Sequence, residues 1–259
     1  MKVEFVKYQG TGNDFILLDN HNGAYDDLSM REIEFLCNRK IGIGADGLIK
    51  LSKNEEFDFE VEYFNADGTQ SFCGNGARCS VAFAKALGWI DKDTRFLAID
   101  GVHSASISED IVRLEMLNVP IFEKKGNDFF LDTGSPHFVH FDQEDVLDIV
   151  SYGKEIRYSE EYRDNGVNVN VVNLMNEDTI QVRTYERGVE DETLSCGTGV
   201  TACALIFMMN SDRVLSRVNV QTKGGTLFVE SDGFSEKKGF TNIWLSGPAN
   251  KVFNGRIDV

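Results

Sequence analysis

Two stretches organise the rest of the chain: SFCGNGARC at Ser71–Cys79 and SCGTGVTAC at Ser195–Cys203. In each, a cysteine precedes a glycine, one polar residue and a second glycine, and an apolar pattern with the spacing of one helix face follows at once. The pattern predicts that Cys73 and Cys196 each stand at the N-terminus of a helix. Unpaired backbone N–H groups and the helix dipole favour negative charge there. Such a position promotes thiolate formation and can also hold a carboxylate.

A purely structural role is the simplest alternative for either stretch, since cysteine is among the most frequently buried residue types. The repetition of landmarks along the chain argues against it. Cys196 follows Cys73 by 123 residues, Phe138 of a second glycine turn follows Phe15 by the same distance, and further glycine turns repeat at nearly this offset. The shared order and spacing indicate two similar halves. We expect one half at residues 1–118, completed by 249–259, and the other at 119–248.

The fold class predicted from these patterns is α+β. Both helices that follow the cysteines look apolar nearly all round, and such helices must be enclosed by other elements. Many short segments predict strands, among them Ser104–Met116, whereas Ser29–Asn38 predicts a helix capped by Ser29 with Glu32 three residues later. We therefore expect two pseudo-symmetric halves, each a mixed, mostly antiparallel sheet wrapped around a central helix, with the active site in the cleft between them.

The composition limits the classes of function. With 259 residues, of which 42% are apolar and 26% charged, the chain has the material for a substantial core. A formal charge of −16 argues against a nucleic-acid or anionic-membrane partner, and no apolar run or signal-peptide core is evident, so we expect a cytoplasmic protein. Five cysteines without a paired metal-type spacing indicate neither a disulfide framework nor a zinc site.

Two thiols at facing helix N-termini suit one reaction in particular, the inversion of a carbon centre. One cysteine as thiolate removes the proton from one face of the carbon, and the other as thiol delivers a proton to the opposite face. The pair holds one proton between its members, so the two titrations are coupled. The helix N–H groups can stabilise a carboxylate as carbanion charge spreads onto it.

Motifs along nearly the whole chain resemble those of the diaminopimelate epimerases, a cofactor-independent, two-cysteine group among the amino-acid epimerases and racemases. The matching blocks are GTGNDF, GIGADG, FNADGTQSFCGNGARC, TGSPH, NGVNV, YERGVEDETLSCGTG and SGPA, in the family order. The resemblance implies conversion of LL-2,6-diaminopimelate to the meso isomer, in lysine and peptidoglycan precursor biosynthesis. It implies neither pyridoxal phosphate nor a metal.

The resemblance also implies the site residues. Cys73 and Cys196 match the two catalytic thiols, with His137 and Glu186 as further candidate catalytic residues. The residues that match substrate-binding positions are Asn13, Asn65, Gly74, Asn75, Ser135, Asn168, Glu186, Arg187, Gly197 and Thr198. The guanidinium of Arg187 is suited to a forked pair of hydrogen bonds with a distal carboxylate.

Three positions depart from the family pattern. Ser135 stands where some members have asparagine, and it keeps one hydrogen-bonding group with shorter reach. Gly47 replaces a glutamine found in some members, so a side-chain contact is lost. Phe253 replaces a tyrosine that some members have at a dimer contact, which leaves a homodimer as an open expectation.

Three alternatives to this epimerase remain at the level of sequence. A relative such as a proline-type racemase also uses two cysteines, although the YERG block and the asparagines favour an open-chain diamino diacid. A thiol–disulfide redox protein would use Cys73 and Cys196 as an oxidisable pair. A non-catalytic binding module would bind the ligand without exchanging its protons.

Overall fold

The two central helices begin directly after the two cysteines. The computed structural model describes residues 1–142 and 148–259. In it, Cys73 is the N-cap of the helix Gly74–Ala86, and Cys196 is the N-cap of the helix Gly197–Asn210. Both cysteines have the extended backbone that an N-cap residue adopts. The predicted helix starts are therefore confirmed.

The chain divides into two compact units, Met1–Leu114 with Gly247–Val259 (unit 1) and Glu115–Ser246 (unit 2). Unit 1 contains β1 (Lys2–Gly10), β2 (Asn13–Asp19), α1 (Met30–Cys37), β3 (Gly47–Ser52), β4 (Phe59–Asn65), α2 (Gly74–Ala86), β5 (Asp93–Ala98), β6 (Gly101–Ser108), β7 (Ile111–Glu115) and β19 (Asn250–Asp258). Unit 2 contains β8 (Phe122–Lys125), β9 (Asp128–Asp132), β10 (Pro136–Phe141), α3 (Ile149–Arg157), β11 (Asn168–Leu174), β12 (Thr179–Glu186), β13 (Asp191–Thr193), α4 (Gly197–Asn210), β14 (Arg217–Thr222), β15 (Gly225–Glu230), β16 (Phe234–Ser235), β17 (Gly239–Phe240) and β18 (Trp244–Pro248).

The sheets of the two units have the same strand order and the same directions. Unit 1 runs β19-β1-β2-β3-β4-β5-β6-β7, and only the pairs β2–β3 and β4–β5 are parallel. Unit 2 runs β8-β9-β10-β11-β12-β14-β15-β18, and only β10–β11 and β12–β14 are parallel, with β13 added beside β12. Both sheets are mixed and mostly antiparallel, as predicted, and the common order confirms the internal duplication.

Each sheet encloses one central helix. In unit 1, α2 packs against β1, β2, β3, β4 and β6, and its residues Gly74–Ala84 are all buried. In unit 2, α4 packs against β9, β10, β11, β12, β14 and β15. Its apolar side chains, such as Leu205 and Ile206, are fully shielded from solvent. Each such side chain contributes about 1.5–3 kcal/mol on burial, so the apolar sequence of the helices is explained by their enclosure.

The outer helices α1 and α3 cover the opposite faces of the two sheets. Ile33 and Leu36 of α1 join the core cluster that includes Ile16 of β2, and Ile149 of α3 joins the cluster that includes Phe138 of β10. The capping box predicted for α1 is present: Ser29 Oγ accepts from Glu32 N, and the Glu32 carboxylate accepts from Ser29 N. Among the described residues, no helix is both long and apolar enough to cross a membrane.

One strand prediction was wrong. Ser104–Met116, expected as a single strand, forms the antiparallel pair β6 and β7, with a tight turn at Glu109-Asp110. Glu109 takes the left-handed conformation with φ of 54°, which non-glycine residues seldom adopt. The turn has neither glycine nor asparagine, which most readily take this conformation, so its only sequence signals were the weaker turn residues Ser108 and Asp110.

The capping box allows a test of local stability. We expect Ser29→Ala to lower the free energy of unfolding by about 1 kcal/mol, because Glu32 N loses its acceptor and the Glu32 carboxylate loses the Ser29 hydroxyl donor. Urea denaturation followed by circular dichroism measures this. Ser108→Ala, at an exposed serine of β6, is the matched control and should change stability by less than about 0.5 kcal/mol. Equal effects of the two substitutions would contradict the role of the cap.

Candidate active site

The two units place their site residues on equivalent faces of their sheets. Phe15 of β2 lies under the first turn of α2, since a Cβ on Gly76 would be 3.5 Å from Phe15 Cε1. His137 of β10 lies under the first turn of α4 in the same way, 3.2 Å from a Cβ on Gly199. Phe15 therefore corresponds to His137, not to Phe138 as the motif alignment predicted. The alignment was one residue out because successive strand residues face opposite sides of a sheet, and Phe138 faces α3.

The Cys73 sulfur lies among an amide oxygen and a backbone N–H. Its thiol is 3.6 Å from Asn13 Oδ1, to which it can donate, and Cys73 Sγ accepts from Gly76 N at 3.5 Å. Asn75 Nδ2 donates to the same Asn13 oxygen at 3.2 Å. A Cβ on Gly74 would meet no atom within 4 Å, so the backbone at the start of α2 borders open space. These surroundings suit both states of Cys73: the thiol can donate to the Asn13 oxygen, and the thiolate can accept from Gly76 N.

An ion cluster fixes the Asn13 amide. Asn13 Nδ2 donates to Asp46 Oδ2 at 2.6 Å, and Arg39 Nη2 binds Asp46 Oδ1 at 2.8 Å. Arg39 and Lys7 also bind Asp14, at 2.6 and 2.8 Å. Burial would raise the pKa of Asp14, but the hydrogen bonds and charges of Arg39 and Lys7 outweigh it and lower this pKa to about 2. Because Asp46 holds the amide nitrogen, the Asn13 oxygen faces Cys73.

Asn65 and Gly47 lie side by side at the ends of β4 and β3. Asn65 Nδ2 donates to Thr69 Oγ1 and Ser71 Oγ, at 3.1 and 3.2 Å, within the loop that leads to Cys73. The space above Gly47 is filled by Tyr63, because a Cβ there would be 2.4 Å from Tyr63 Cε2. The departure at Gly47 therefore exchanges a side chain on β3 for an aromatic ring from β4.

Cys196 of unit 2 is linked to a chain of polar side chains. Cys196 Sγ is 3.4 Å from Thr198 Oγ1, which is 2.9 Å from His137 Nε2. Asn170 Nδ2 donates to His137 Nδ1 at 3.1 Å, and Asn170 Oδ1 accepts from Thr184 Oγ1 at 2.9 Å. With Nδ1 as acceptor, the neutral imidazole carries its proton on Nε2 and donates it to Thr198. The Thr198 hydroxyl is then left to donate to the Cys196 sulfur.

His137 stays neutral under ordinary conditions. Its side chain is fully buried, and burial together with the positive charge of Arg187 lowers the pKa of His137 to about 3. At neutral pH the imidazole therefore acts as a fixed hydrogen-bond donor, without a charge of its own. Its role in the geometry is to orient Thr198.

The remaining predicted residues of unit 2 meet around Asn168. Asn168 Nδ2 donates to Ser135 Oγ at 2.9 Å, and Asn168 Oδ1 accepts from Arg187 N at 2.9 Å. Arg187 is exposed, and its Nη1 donates to Asn165 O at 2.8 Å. Glu186, the last residue of β12, is half-buried beside it. An exposed guanidinium next to a carboxylate can bind the oppositely charged groups of an amino acid.

The other three cysteines are packed in the cores. Cys37, Cys79 and Cys203 are buried, as their helical patterns predicted. Burial raises the pKa of Cys37 and of Cys79 to about 12, and it raises the pKa of Cys203 strongly. These thiols therefore stay protonated at neutral pH. Among residues 1–142 and 148–259, no group of three or more His, Cys, Asp or Glu side chains could hold a metal ion.

Sequence reasoning missed three residues that shape the site: Asp46, Asn170 and Gly199. Asp46 lies inside the quoted GIGADG block, which was a signal that could have identified it. Gly199 is the second glycine of SCGTG, and a Cβ on it would be 2.4 Å from Asn170 Oδ1. Asn170 had no sequence signal, because it is one of several asparagines in and around β11.

Solved structures of known proteins share this fold. One is a PhzF-family phenazine biosynthesis protein from Bacillus anthracis, with a TM-score of 0.75 and 14% identity over 100% of both chains. Another is a hydroxyproline epimerase from Agrobacterium vitis, with a TM-score of 0.71 and 12% identity over 99% of this chain and 91% of that one. The chain therefore has the same fold as these two proteins.

The sequence comparisons are more specific. The diaminopimelate epimerase family matches residues 5–116 and 129–252. A diaminopimelate epimerase from Flavobacterium psychrophilum is 46% identical over 258 residues, 98% of this chain and 100% of the relative. One from Chlorobaculum tepidum is 42% identical over 259 residues, 96% of this chain and 98% of the relative. The chain belongs to the diaminopimelate epimerase family, which confirms the resemblance seen in its motifs.

The close approach at Gly199 predicts a loss of activity on adding a methyl group. In Gly199→Ala, the new Cβ must displace Asn170 or His137, so Thr198 loses its orientation at Cys196. We expect turnover to fall about 100-fold or more, as for other small misplacements in active sites. Gly76→Ala is the matched control in α2, where the nearest atom is the flexible tip of Ile49 at 3.2 Å. A loss in Gly76→Ala as large as in Gly199→Ala would contradict this explanation.

The lowered pKa of His137 predicts a pH dependence of stability. The unfolded chain binds a proton at His137 below its ordinary pKa of about 6.5, whereas the folded chain resists protonation until about pH 3. Folding stability is therefore lost as pH falls through this window, by about 1.4 kcal/mol per pH unit from this residue. Urea denaturation of the wild type and of His137→Gln between pH 7 and 4.5 isolates that slope, since the other histidines are common to both. Parallel stability curves would contradict a buried neutral His137.

Proposed function

We propose that the chain catalyses the cofactor-independent epimerisation of LL-2,6-diaminopimelate to meso-diaminopimelate, in lysine and peptidoglycan precursor biosynthesis. One observation carries the proposal: two units of equal strand order each present one cysteine as the N-cap of an enclosed helix. Membership of the diaminopimelate epimerase family supports the substrate. The reaction needs no group beyond the two thiols and the substrate-binding residues.

The proposed chemistry is a two-base proton transfer. The thiolate of one cysteine removes the α-proton, and the thiol of the other supplies a proton to the opposite face, with the roles reversed in the return reaction. Each sulfur must therefore be stable both as a thiol and as a thiolate. The Asn13 oxygen accepts from the Cys73 thiol, and Gly76 N donates to the sulfur. Thr198, oriented by His137, supports the Cys196 thiolate.

The helix starts are suited to the reacting end of the substrate. We assign Gly74 and Asn75 of α2, and Gly197 and Thr198 of α4, to the carboxylate on the reacting carbon. Backbone N–H groups at a helix N-terminus favour such an anion. They become more effective as negative charge from the lost proton spreads onto the carboxylate.

The other residues are assigned to the second amino-acid end of the substrate. Arg187 can bind the distal carboxylate, and Glu186 can bind the distal ammonium group. Asn13, Asn65, Ser135 and Asn168 supply neutral hydrogen-bonding groups. Since Asn168 Nδ2 binds Ser135 Oγ, the serine takes part in the site through this contact.

The proposal also covers the location of the protein in the cell and its partners. The net charge of −16 argues against a nucleic-acid or anionic-membrane partner, and we place the enzyme in the cytoplasm. Val252 and Phe253 of β19, each about half exposed, provide apolar surface for a homodimer contact. Size-exclusion chromatography with light scattering determines whether that dimer forms.

Turnover of LL-diaminopimelate in deuterated water, without added cofactor, is the decisive test. We expect the meso product to carry one deuterium at the inverted α-carbon. Cys73→Ser and Cys196→Ser should each lower turnover by about 10²–10⁴-fold, because an alcohol is a far weaker acid than a thiol. Cys37→Ser, at a buried cysteine of α1, is the control and should retain turnover within a few-fold. Wild-type rates in either catalytic variant would refute the two-base scheme.

The same assay separates the remaining alternatives. A proline-type racemase would exchange the α-proton of proline more readily than that of diaminopimelate. A thiol–disulfide protein would depend on oxidation of its cysteine pair, whereas the epimerase loses activity on oxidation and regains it with a reducing agent. A binding module would retain the ligand without incorporating label.

A further inference from the structure

Arg78 is a fully buried cation in the second turn of α2. Its side chain has no exposed surface, and it belongs to the GNGARC sequence that follows Cys73. Nη2 donates to Thr11 Oγ1 at 3.3 Å, whereas Nε and Nη1 have no hydrogen-bond partner. Within residues 1–142 and 148–259, no carboxylate lies within 4 Å of this guanidinium. A buried charge in this state is strongly unfavourable unless another group offsets it.

The position in the helix adds to the cost. Helical side chains lean towards the N-terminus, and the contact with Thr11 places the guanidinium beside the turn between β1 and β2. Its Nη2 is also 3.3 Å from a Cβ built on Gly10. A cation near the start of a helix opposes the helix dipole. An anion close to the start of α2 would remove both penalties.

Arg78 stands five residues after Cys73 and one before Cys79 in the same helix, so a thiolate at either cysteine would interact with its charge. Cys79 is fully buried, its pKa is raised to about 12, and the ring of Tyr8 from β1 faces its side of the helix. The cluster of Lys7, Asp14, Arg39 and Asp46 is already internally neutralised by its ion pairs. Cys73, which is partly exposed, is therefore the group that can supply the negative charge.

We propose that Arg78 is a positioning residue for proton transfer at Cys73, where its guanidinium charge compensates the negative charge of the thiolate. The inference rests on the proposed function for its role in catalysis. The corresponding residue of α4 is Thr201, five residues after Cys196, whose hydroxyl donates to Gly197 O at 2.9 Å. The two thiolates are thus stabilised by different means: a buried cation acts on Cys73, and the oriented Thr198 hydroxyl acts on Cys196.

The test measures how fast iodoacetamide alkylates Cys73 as a function of pH, in a Cys196→Ser background. We expect Arg78→Met to lower the thiolate fraction at pH 7 about tenfold, which corresponds to a midpoint about one pH unit higher. Arg78→Lys, which keeps the charge, should stay close to the parent. Lys85→Met, which removes a positive charge from the last turn of α2, is the matched control and should leave the midpoint unchanged.

Two further measurements complete the design. With Cys196 intact, Arg78→Met should lower kcat about tenfold and leave KM within twofold. Thr11→Val, which removes the hydroxyl that holds the guanidinium, should shift the alkylation midpoint in the same direction by a smaller amount, and it carries the test if Arg78→Met does not fold. An unchanged midpoint in a folded Arg78→Met or Thr11→Val variant, or equal shifts in Arg78→Met and Arg78→Lys, would overturn the proposal. Since alkylation requires no substrate, a chain that fails to epimerise diaminopimelate while showing these shifts would refute the proposed function alone.

Discussion

The enclosure of a helix by a sheet, with a cysteine at the point where the helix begins, is the constraint on which this structure depends. A helix leaves the N–H groups of its first turn without intrahelical partners. When the rest of that helix is buried, as in α2 and α4, these groups become the polar end of an otherwise apolar element. Cys73 and Cys196 stand at these ends, so the same feature that the cores require also provides sites suited to thiolate and carboxylate groups.

The remaining site residues stand where strands begin or end around each helix start. Asn13 and Gly47 begin β2 and β3, and Asn65 ends β4. In unit 2, Asn168 begins β11 and Glu186 ends β12. In each unit, one parallel strand pair and the antiparallel pair beside it bring these strand ends to the edge at which the central helix starts. The duplication therefore repeats a backbone arrangement, while the side chains on it differ.

Those differences give the two sulfurs unlike surroundings. Cys73 has an amide oxygen, held in place by Asp46, and a backbone N–H as hydrogen-bonding partners. Cys196 has a threonine hydroxyl that is oriented by a neutral histidine. Burial keeps that histidine uncharged, so the hydrogen-bond directions in unit 2 do not change over the neutral pH range. Such an arrangement is compatible with a reaction in which each sulfur acts as a base in one direction and as an acid in the other.

The sequence was enough to predict the helix starts at Cys73 and Cys196, the duplication, the enclosed helices and the family. Each of these depends on local spacing or on motifs that lie together in the chain. Which side chains face one another became visible only in the folded structure. Phe15 proved equivalent to His137 because strand alternation, which motif alignment ignores, sets the facing side. Two contacts join residues that are distant along the chain, that of Asp46 with Asn13 and that of Asn170 with His137. The lack of hydrogen-bond partners at Nε and Nη1 of Arg78 likewise depends on the packing around it. Their partners and burial are properties of the packed chain, and no periodicity in the sequence encodes them.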